Sequence, residues 1–230
     1  MSNTKKRLSL YYGEKGDYLK DHESFLKSAN INKDIKFLVK ALNLKKTDNI
    51  LDIACGQGRH TNTLAKKGYK VDGVDFSQHL LNIAKKNAKA QEIVIPNYYN
   101  ANIEKLNLQD KYSKAFWFFS DLAGINIPKS ILSISKNLKI GGSLLLDTDN
   151  FFRILFYLQN NPKSNYKFDV KKLELIDKKT GIRVQYPVLM MWEEWFKLAS
   201  LSIKLIIGDY NFSDYSINSP RLIMIVKKTA

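Results

Sequence analysis

The segment Asn49-Ile-Leu-Asp-Ile-Ala-Cys-Gly-Gln-Gly-Arg-His60 constrains this chain more than any other. Residues 50–54 are apolar enough, and few enough, for a buried strand. Gly56-Gln-Gly58 then turns the chain, and 59–67 predict a helix that Gly68 closes from a C′ position. Residues 70–75, Lys-Val-Asp-Gly-Val-Asp, predict a second strand ending in a carboxylate. A glycine turn at the end of one strand, with an acid closing the next, is how layered α/β folds hold an adenosine-containing cofactor.

The rest of the chain extends that frame. Helices are expected over 17–29 and 32–44, the second with Asn32 as its cap and Ile35, Leu38, Val39 and Leu42 on one face. A helix over 77–90 starts at Ser77, and a third strand is read over 92–95, ended by Pro96. Residues 115–120 form an apolar run suited to a central strand. Pro128 opens a helix over 128–138, and 143–147 make the fifth strand. Such alternation implies a parallel sheet with right-handed crossovers. A helix at 151–159 is followed by two strands, 166–176 and 182–188, around the turn Asp177-Lys-Lys-Thr-Gly181. After a helix at 190–199, strands at 203–208 and 222–227 close the chain as an antiparallel pair. The division is an N-terminal helical arm over 1–46 and an α/β domain over 47–230, with antiparallel strands inserted at about 165–189.

The net charge of +15 raises nucleic acid as a partner. Only Arg7, Arg59, Arg153, Arg183 and Arg221 of the 37 basic residues are arginine, the residue suited to bidentate phosphate and guanine contacts, and the lysines are spread along the chain. A solvated basic surface is the preferred reading, with nucleic acid kept as the lesser alternative. The single cysteine, Cys55, excludes an internal disulfide framework and fits a cytoplasmic protein; beside the turn it is read as a small buried residue. There is no apolar run of ~20 residues for a membrane span and no signal-peptide pattern at the start.

Three features narrow the cofactor. The third glycine of a dinucleotide turn is absent, since Arg59, His60 and Thr61 follow Gly58. Asp52 lies inside the first strand, where it disfavours a pyrophosphate and suits a cation. The chain ends in an antiparallel pair. S-adenosylmethionine, with its ammonium and sulfonium, fits these features. Asp75 would accept from both ribose hydroxyls, Phe76 would pack on adenine, and Asp52 would hold the amino group, directly or through water. The plainer readings are a helix N-terminal acid for Asp75 and a capped turn for Asp52.

Asp52-Ile-Ala-Cys-Gly-Gln-Gly-Arg-His60, with Gly73-Val-Asp75-Phe-Ser77, resembles the class I S-adenosylmethionine-dependent methyltransferases, and the Gly-Arg-His form a small-molecule-type subgroup. Gly141-Gly142, Leu146-Asp147 with Asn150, and the ending Gly208-Asp-Tyr210 with Ser219-Pro-Arg-Leu222 extend the resemblance from about His22 to Lys228. It implies a Rossmann-like seven-stranded sheet, mostly parallel with an antiparallel last strand, helices on both faces, an N-terminal helical lid and an inserted β-hairpin. It also implies cofactor binding by Asp52, Ala54, Gly56, Gly58, Arg59, Asp75 and Phe76. Asn102-Ile103 would meet adenine, and Phe118 would flank the sulfonium. Asn102 stands where many relatives carry an acid, and the segment 120–126 is shorter than usual.

Methyl transfer from a sulfonium needs alignment above all, so no triad or metal set is required, and His22, His60 and His79 have no ligand spacing. Acceptor contacts are expected from Tyr11, Tyr12, His60, Asp121, Asn150, Tyr210 and Arg221, with His22 on the lid and His79 at the surface. Each also has a bland reading as a packing or surface residue. The function implied is methyl transfer to nitrogen or oxygen of a small molecule, by a monomer or homodimer, releasing S-adenosylhomocysteine. The alternatives are a tRNA or rRNA methyltransferase and a non-catalytic cofactor-binding module. The segment Phe118-Phe-Ser-Asp121 lacks the Asn/Asp-Pro-Pro-Tyr pattern used on base amines.

Overall fold

The computed structural model describes residues 3–23, 28–108 and 111–230. Its main sheet has seven strands: β1 (Asn49–Ile53), β2 (Lys70–Asp75), β3 (Tyr98–Asn100), β4 (Tyr112–Trp117), β5 (Leu138–Asp149), β9 (Leu201–Ile207) and β10 (Arg221–Lys228). Their spatial order is β3-β2-β1-β4-β5-β10-β9. Pairing is parallel from β3 to β5, and β10 runs antiparallel between β5 and β9. The first three strands run outward to β3, and the chain then crosses back to β4 beside β1. That reversal opens a crevice at the C-terminal ends of β1 and β4.

Period-two alternation sorts the side chains onto two faces. On one, Leu51, Ile53, Ala115, Trp117, Leu144 and Leu146 pack with α6 (Ile127–Asn137) and α8 (Leu189–Leu198). On the other, Ile50, Phe116 and Leu145 pack with Leu38 and Leu42 of α3 (Ser28–Leu42) and Leu64 of α4 (Arg59–Lys66). Ser77 caps α5 (Gln78–Ala90), accepting from the Leu80 amide at 3.2 Å. The seven-stranded sheet and its antiparallel last strand are as expected. Among the described residues no helix is long and apolar enough to cross a membrane.

Several boundaries differ from the sequence reading. The third strand is not at 92–95: Val94 is 92% exposed, and pairing with β2 starts beyond Pro96, which has no amide to donate. The central strand ends at Trp117 instead of Ser120, because Phe119 takes a left-handed φ of 52°. The 17–29 helix is reduced to one turn, α2 (Tyr18–Asp21), and residues 24–27 lie outside the described set. A helix not expected, α1 (Asn3–Tyr11), precedes it.

The inserted hairpin is instead a separate three-stranded sheet, β6 (Tyr166–Asp169), β7 (Glu174–Asp177) and β8 (Arg183–Gln185). The Asp169 carboxylate accepts from the Lys171 amide at 3.0 Å and breaks the expected long strand into a turn that closes at Leu173, φ 52°. The second turn is as read: Gly181 has φ 66°, and the Asp177 carboxylate accepts from the Lys179 amide at 2.7 Å. Helix α7 (Phe151–Asn160) links β5 to this sheet.

Candidate active site

The turn after β1 is built around Asp75. Its Oδ2 accepts from the Gly56 amide at 2.9 Å and its Oδ1 from the Ser77 amide at 2.8 Å. Burial raises the Asp75 pKa, and these amides oppose the shift. Gly56 has φ 54°, and a Cβ there would meet nothing closer than Leu80 Cδ1 at 3.8 Å, so the turn opens onto space. Gly58 is different: a Cβ would stand 2.5 Å from the Tyr98 hydroxyl and 2.7 Å from Ala84 Cβ. Gly58 therefore lets α4 approach β3 and α5, the packing role that a third glycine has in a dinucleotide turn.

The turn opens into a cavity of about 410 Å3. Ala54, Gly56, Asp75 and Phe76 form its floor, and Asn102, Ile103, Trp117 and Phe119 its walls. Its roof is α1, which presents Lys5, Leu8 and Ser9, followed by Tyr12. The spacing 5, 8, 9, 12 is one helical face. The roof is tied down at several points. Lys5 Nζ lies 2.9 Å from Glu104 Oε1, and the Ser77 hydroxyl donates to the Tyr12 carbonyl at 2.7 Å. Tyr12 donates its hydroxyl to Asp121 and sets its ring edge-on to Phe76, with centroids 5.4 Å apart. Arg7 donates to the Thr180 carbonyl, joining α1 to the small sheet.

These residues fit the adenosine part of S-adenosylmethionine. Each Asp75 oxygen has a second acceptor position for a ribose hydroxyl, and Leu80, Phe76 and Ile103 offer apolar surface for a base. Asn102 caps a 3-10 turn (Ile103–Lys105), its Oδ1 accepting from the Glu104 amide at 2.8 Å, and still lines the cavity.

Other residues named from sequence stand behind this surface. Asp52 is 3% exposed and accepts from the Thr61 hydroxyl at 2.6 Å. Burial pushes its pKa up to about 7. Arg59 and His60 both reach Asp34 of α3, at 3.5 and 3.2 Å. Burial lowers the His60 pKa, and the Asp34 carboxylate opposes that shift. Phe118 turns away from the cavity and packs between Phe37 and Tyr210, centroids 6.0 and 5.4 Å away. Its neighbours Trp117 and Phe119 face the cavity instead.

Beyond the cavity, Asp147 is fully buried at the end of β5. It accepts from Arg221 Nε at 2.8 Å, the Phe119 amide at 3.0 Å and the Tyr210 hydroxyl at 3.1 Å. Arg221 also bonds Asp149. Asn150 is fully buried; it donates to the Ser219 carbonyl at 2.8 Å and accepts from the Tyr215 hydroxyl at 2.9 Å. It anchors the 209–220 loop and presents nothing to an acceptor. Tyr11 points to the surface and bonds Asp21 at 3.0 Å. His22 bonds the Tyr18 carbonyl at 3.0 Å, and His79 is half-buried on α5. Cys55 is buried beneath the turn, and burial raises its pKa. Of the residues expected at the site, the cavity gathers Tyr12, Ala54, Gly56, Asp75, Phe76, Asn102, Ile103 and Asp121. Sequence reasoning missed Lys5, Leu8, Tyr18, Trp117 and Phe119; only the spacing of the first two with Ser9 and Tyr12 was a usable signal.

A model of the methyltransferase domain matches residues 50–142. The ubiquinone biosynthesis O-methyltransferase of Coxiella burnetii is 31% identical over 117 residues, 50% of this chain and 49% of that protein. The chain spans about half the length of the curated relatives it matches. An S-adenosylmethionine-dependent methyltransferase from Clostridium acetobutylicum superposes with a TM-score of 0.76 at 19% identity, over 93% of this chain and 99% of that one. The magnesium protoporphyrin IX methyltransferase of Synechocystis, solved with bound S-adenosylhomocysteine, superposes with a TM-score of 0.62 at 15% identity, over 99% and 95%. Family match and fold thus coincide: residues 50–142, which hold the turn and Asp75, match a methyltransferase domain within a sheet of methyltransferase architecture.

Proposed function

We propose that this chain is an S-adenosylmethionine-dependent methyltransferase acting on a nitrogen or oxygen of a small molecule, with S-adenosylhomocysteine as product. The observation that carries this reading is the Asp75–Gly56 bond, which holds the glycine turn open onto a roofed cavity. Its volume lies in the ~300–1,000 Å3 range of small-ligand sites. When bound, S-adenosylmethionine supplies an electrophilic methyl on a sulfonium. Asp75 orients the ribose, Gly56 admits the backbone close to the ligand, and Ile103 and Phe76 enclose the base. Asp52, buried behind the turn, supports it through the bond it accepts from Thr61. Within the N-terminal arm, α1 and Tyr12 serve as the lid that shields the reacting groups from water, while α3 packs in the core. The single buried cysteine fits a reducing, cytoplasmic setting.

One observation supports the RNA reading: Lys33, Lys36 and Lys40 of α3 border a groove with Phe212, and Lys40 Nζ lies 4.6 Å from that ring's centre. The roof over the cavity favours a small acceptor. Labelled-methyl transfer to a metabolite extract, compared with total RNA, tests the choice; label only in RNA reverses it.

A further inference from the structure

Seven of the ten residues of helix α7 are apolar, from Phe151 to Leu158, yet none of them is buried. A helix of that composition ordinarily lies in a core. Half-buried Phe151 turns inwards, its ring centroid 6.0 Å from that of Phe168 in β6. Phe152 and Phe156, one turn apart, face outwards with Tyr157 beside them, and Phe156 is 68% exposed. Tyr166 lies two positions from Phe168, on the face of β6 that meets α7, and is exposed as well. These rings protrude from the surface. Neither the cavity under α1 nor the groove along α3 includes any of them.

The same stretch is basic. Over residues 151–172 the cations are Arg153, Lys163, Lys167, Lys171 and Lys172, all exposed, and the only acid is Asp169. Its carboxylate is taken up by the Lys171 and Lys172 amides, at 3.0 and 3.3 Å. None of the five cations forms an ion pair among the described residues. Arg153 stands one turn from Tyr157 on the outer side of α7. A second copy of the chain on this face would bring the same cations against their like, within a net charge of +15 on each partner. An anionic bilayer surface suits both features: its headgroups neutralise the cations, and its headgroup boundary accepts aromatic rings without demanding a matching shape.

We infer that α7 and the adjoining edge of β6 form a peripheral docking face for an anionic phospholipid surface, with Phe152, Phe156, Tyr157 and Tyr166 entering the headgroup boundary and the surrounding Arg and Lys residues meeting lipid phosphates. The contact is peripheral, since no helix among the described residues is long and apolar enough to cross a membrane. Helix α7 starts one residue after β5 ends, at the C-terminal end of the parallel strands, where the cavity also lies. Arg7 of α1 donates to the Thr180 carbonyl of the small sheet. Docking through α7 therefore holds the roofed cavity beside the bilayer.

Co-flotation of the full chain with vesicles tests this. Partition into vesicles of about three parts phosphatidylcholine to one part phosphatidylglycerol is expected to exceed that into pure phosphatidylcholine at least tenfold. It is expected to fall at least threefold when salt rises from about 0.1 to 0.5 M. Equal partition into the two vesicles, or none, overturns the proposal. The double variant Phe152→Ser/Phe156→Ser keeps every charge and is expected to lose at least fivefold in partition with native circular dichroism. Undiminished partition of that variant assigns vesicle binding to the diffuse charge of the chain and overturns the docking face. Arg153→Glu/Lys163→Glu keeps the rings and is expected to lose at least fivefold too; undiminished partition there also overturns it. Light scattering that shows a dimer, abolished by Phe152→Ser/Phe156→Ser and accompanied by no vesicle binding, gives the face to a second copy and overturns the membrane assignment.

Discussion

The carboxylate of Asp75 accepts the amide of Gly56 at 2.9 Å across 19 residues of sequence, so the end of β2 and the turn after β1 are one unit. Asp75→Ala is expected to lower S-adenosylhomocysteine affinity at least tenfold, since a charge-assisted hydrogen bond contributes about 1.5–3 kcal/mol. Calorimetry on a variant with native circular dichroism checks this.

The two turn glycines should separate experimentally. Gly58→Ala places a methyl 2.5 Å from the Tyr98 hydroxyl at φ 73°. Overpacking and the left-handed backbone together should cost about 2–4 kcal/mol. Gly56→Ala meets open space and should cost about 1–2 kcal/mol from φ alone, while losing more cofactor affinity. Denaturant unfolding and ligand titration of both variants give the comparison.

Asp52 makes stability depend on pH. Its pKa rises from the ordinary 3.8 to about 7 in the fold because burial disfavours its charge. The folded protein therefore holds a proton that the unfolded chain releases, and this group's contribution to stability declines as pH climbs from about 4 to 7. Asp52→Asn still accepts from Thr61 and should match wild type near pH 4. Above pH 7 it should be more stable, by up to about 4 kcal/mol at about 1.4 kcal/mol per pKa unit. Melting both proteins without ligand from pH 4 to 8 reads the difference.

The roof makes a kinetic prediction. Tyr12→Phe removes the bond from α1 to Asp121. At about 1 kcal/mol for a hydrogen bond, S-adenosylhomocysteine should dissociate about fivefold faster, with the melting temperature within about 2 °C of wild type. Stopped-flow displacement measures the rate.

The β1-turn-α4-β2 unit was legible because local patterns specify it: an apolar run, glycines at positive φ and an acid at a strand end. Asp75, Gly56 and Phe76 were readable for the same reason. What was missed depends on tertiary context. Val94 and Ile95 have the composition of a strand but lie outside the sheet at 92% and 47% exposure. Phe118 was chosen over its neighbours, but it lies two positions from Phe116 on the face away from the cavity and packs on Phe37 and Tyr210. Asn150 carries a functional-looking side chain that the loop 209–220 and the cap of α7 consume. The bridge that ties Val184 of the small sheet to Ala123 joins segments 61 residues apart, which no local pattern records.

The central claim is that the turn and cavity hold S-adenosylmethionine. Calorimetry of the full chain with S-adenosylmethionine, S-adenosylhomocysteine and NAD tests it most directly. Both sulfur ligands should bind in the micromolar range, about −8 kcal/mol, with NAD at least a hundredfold weaker; tighter binding of NAD would contradict the account.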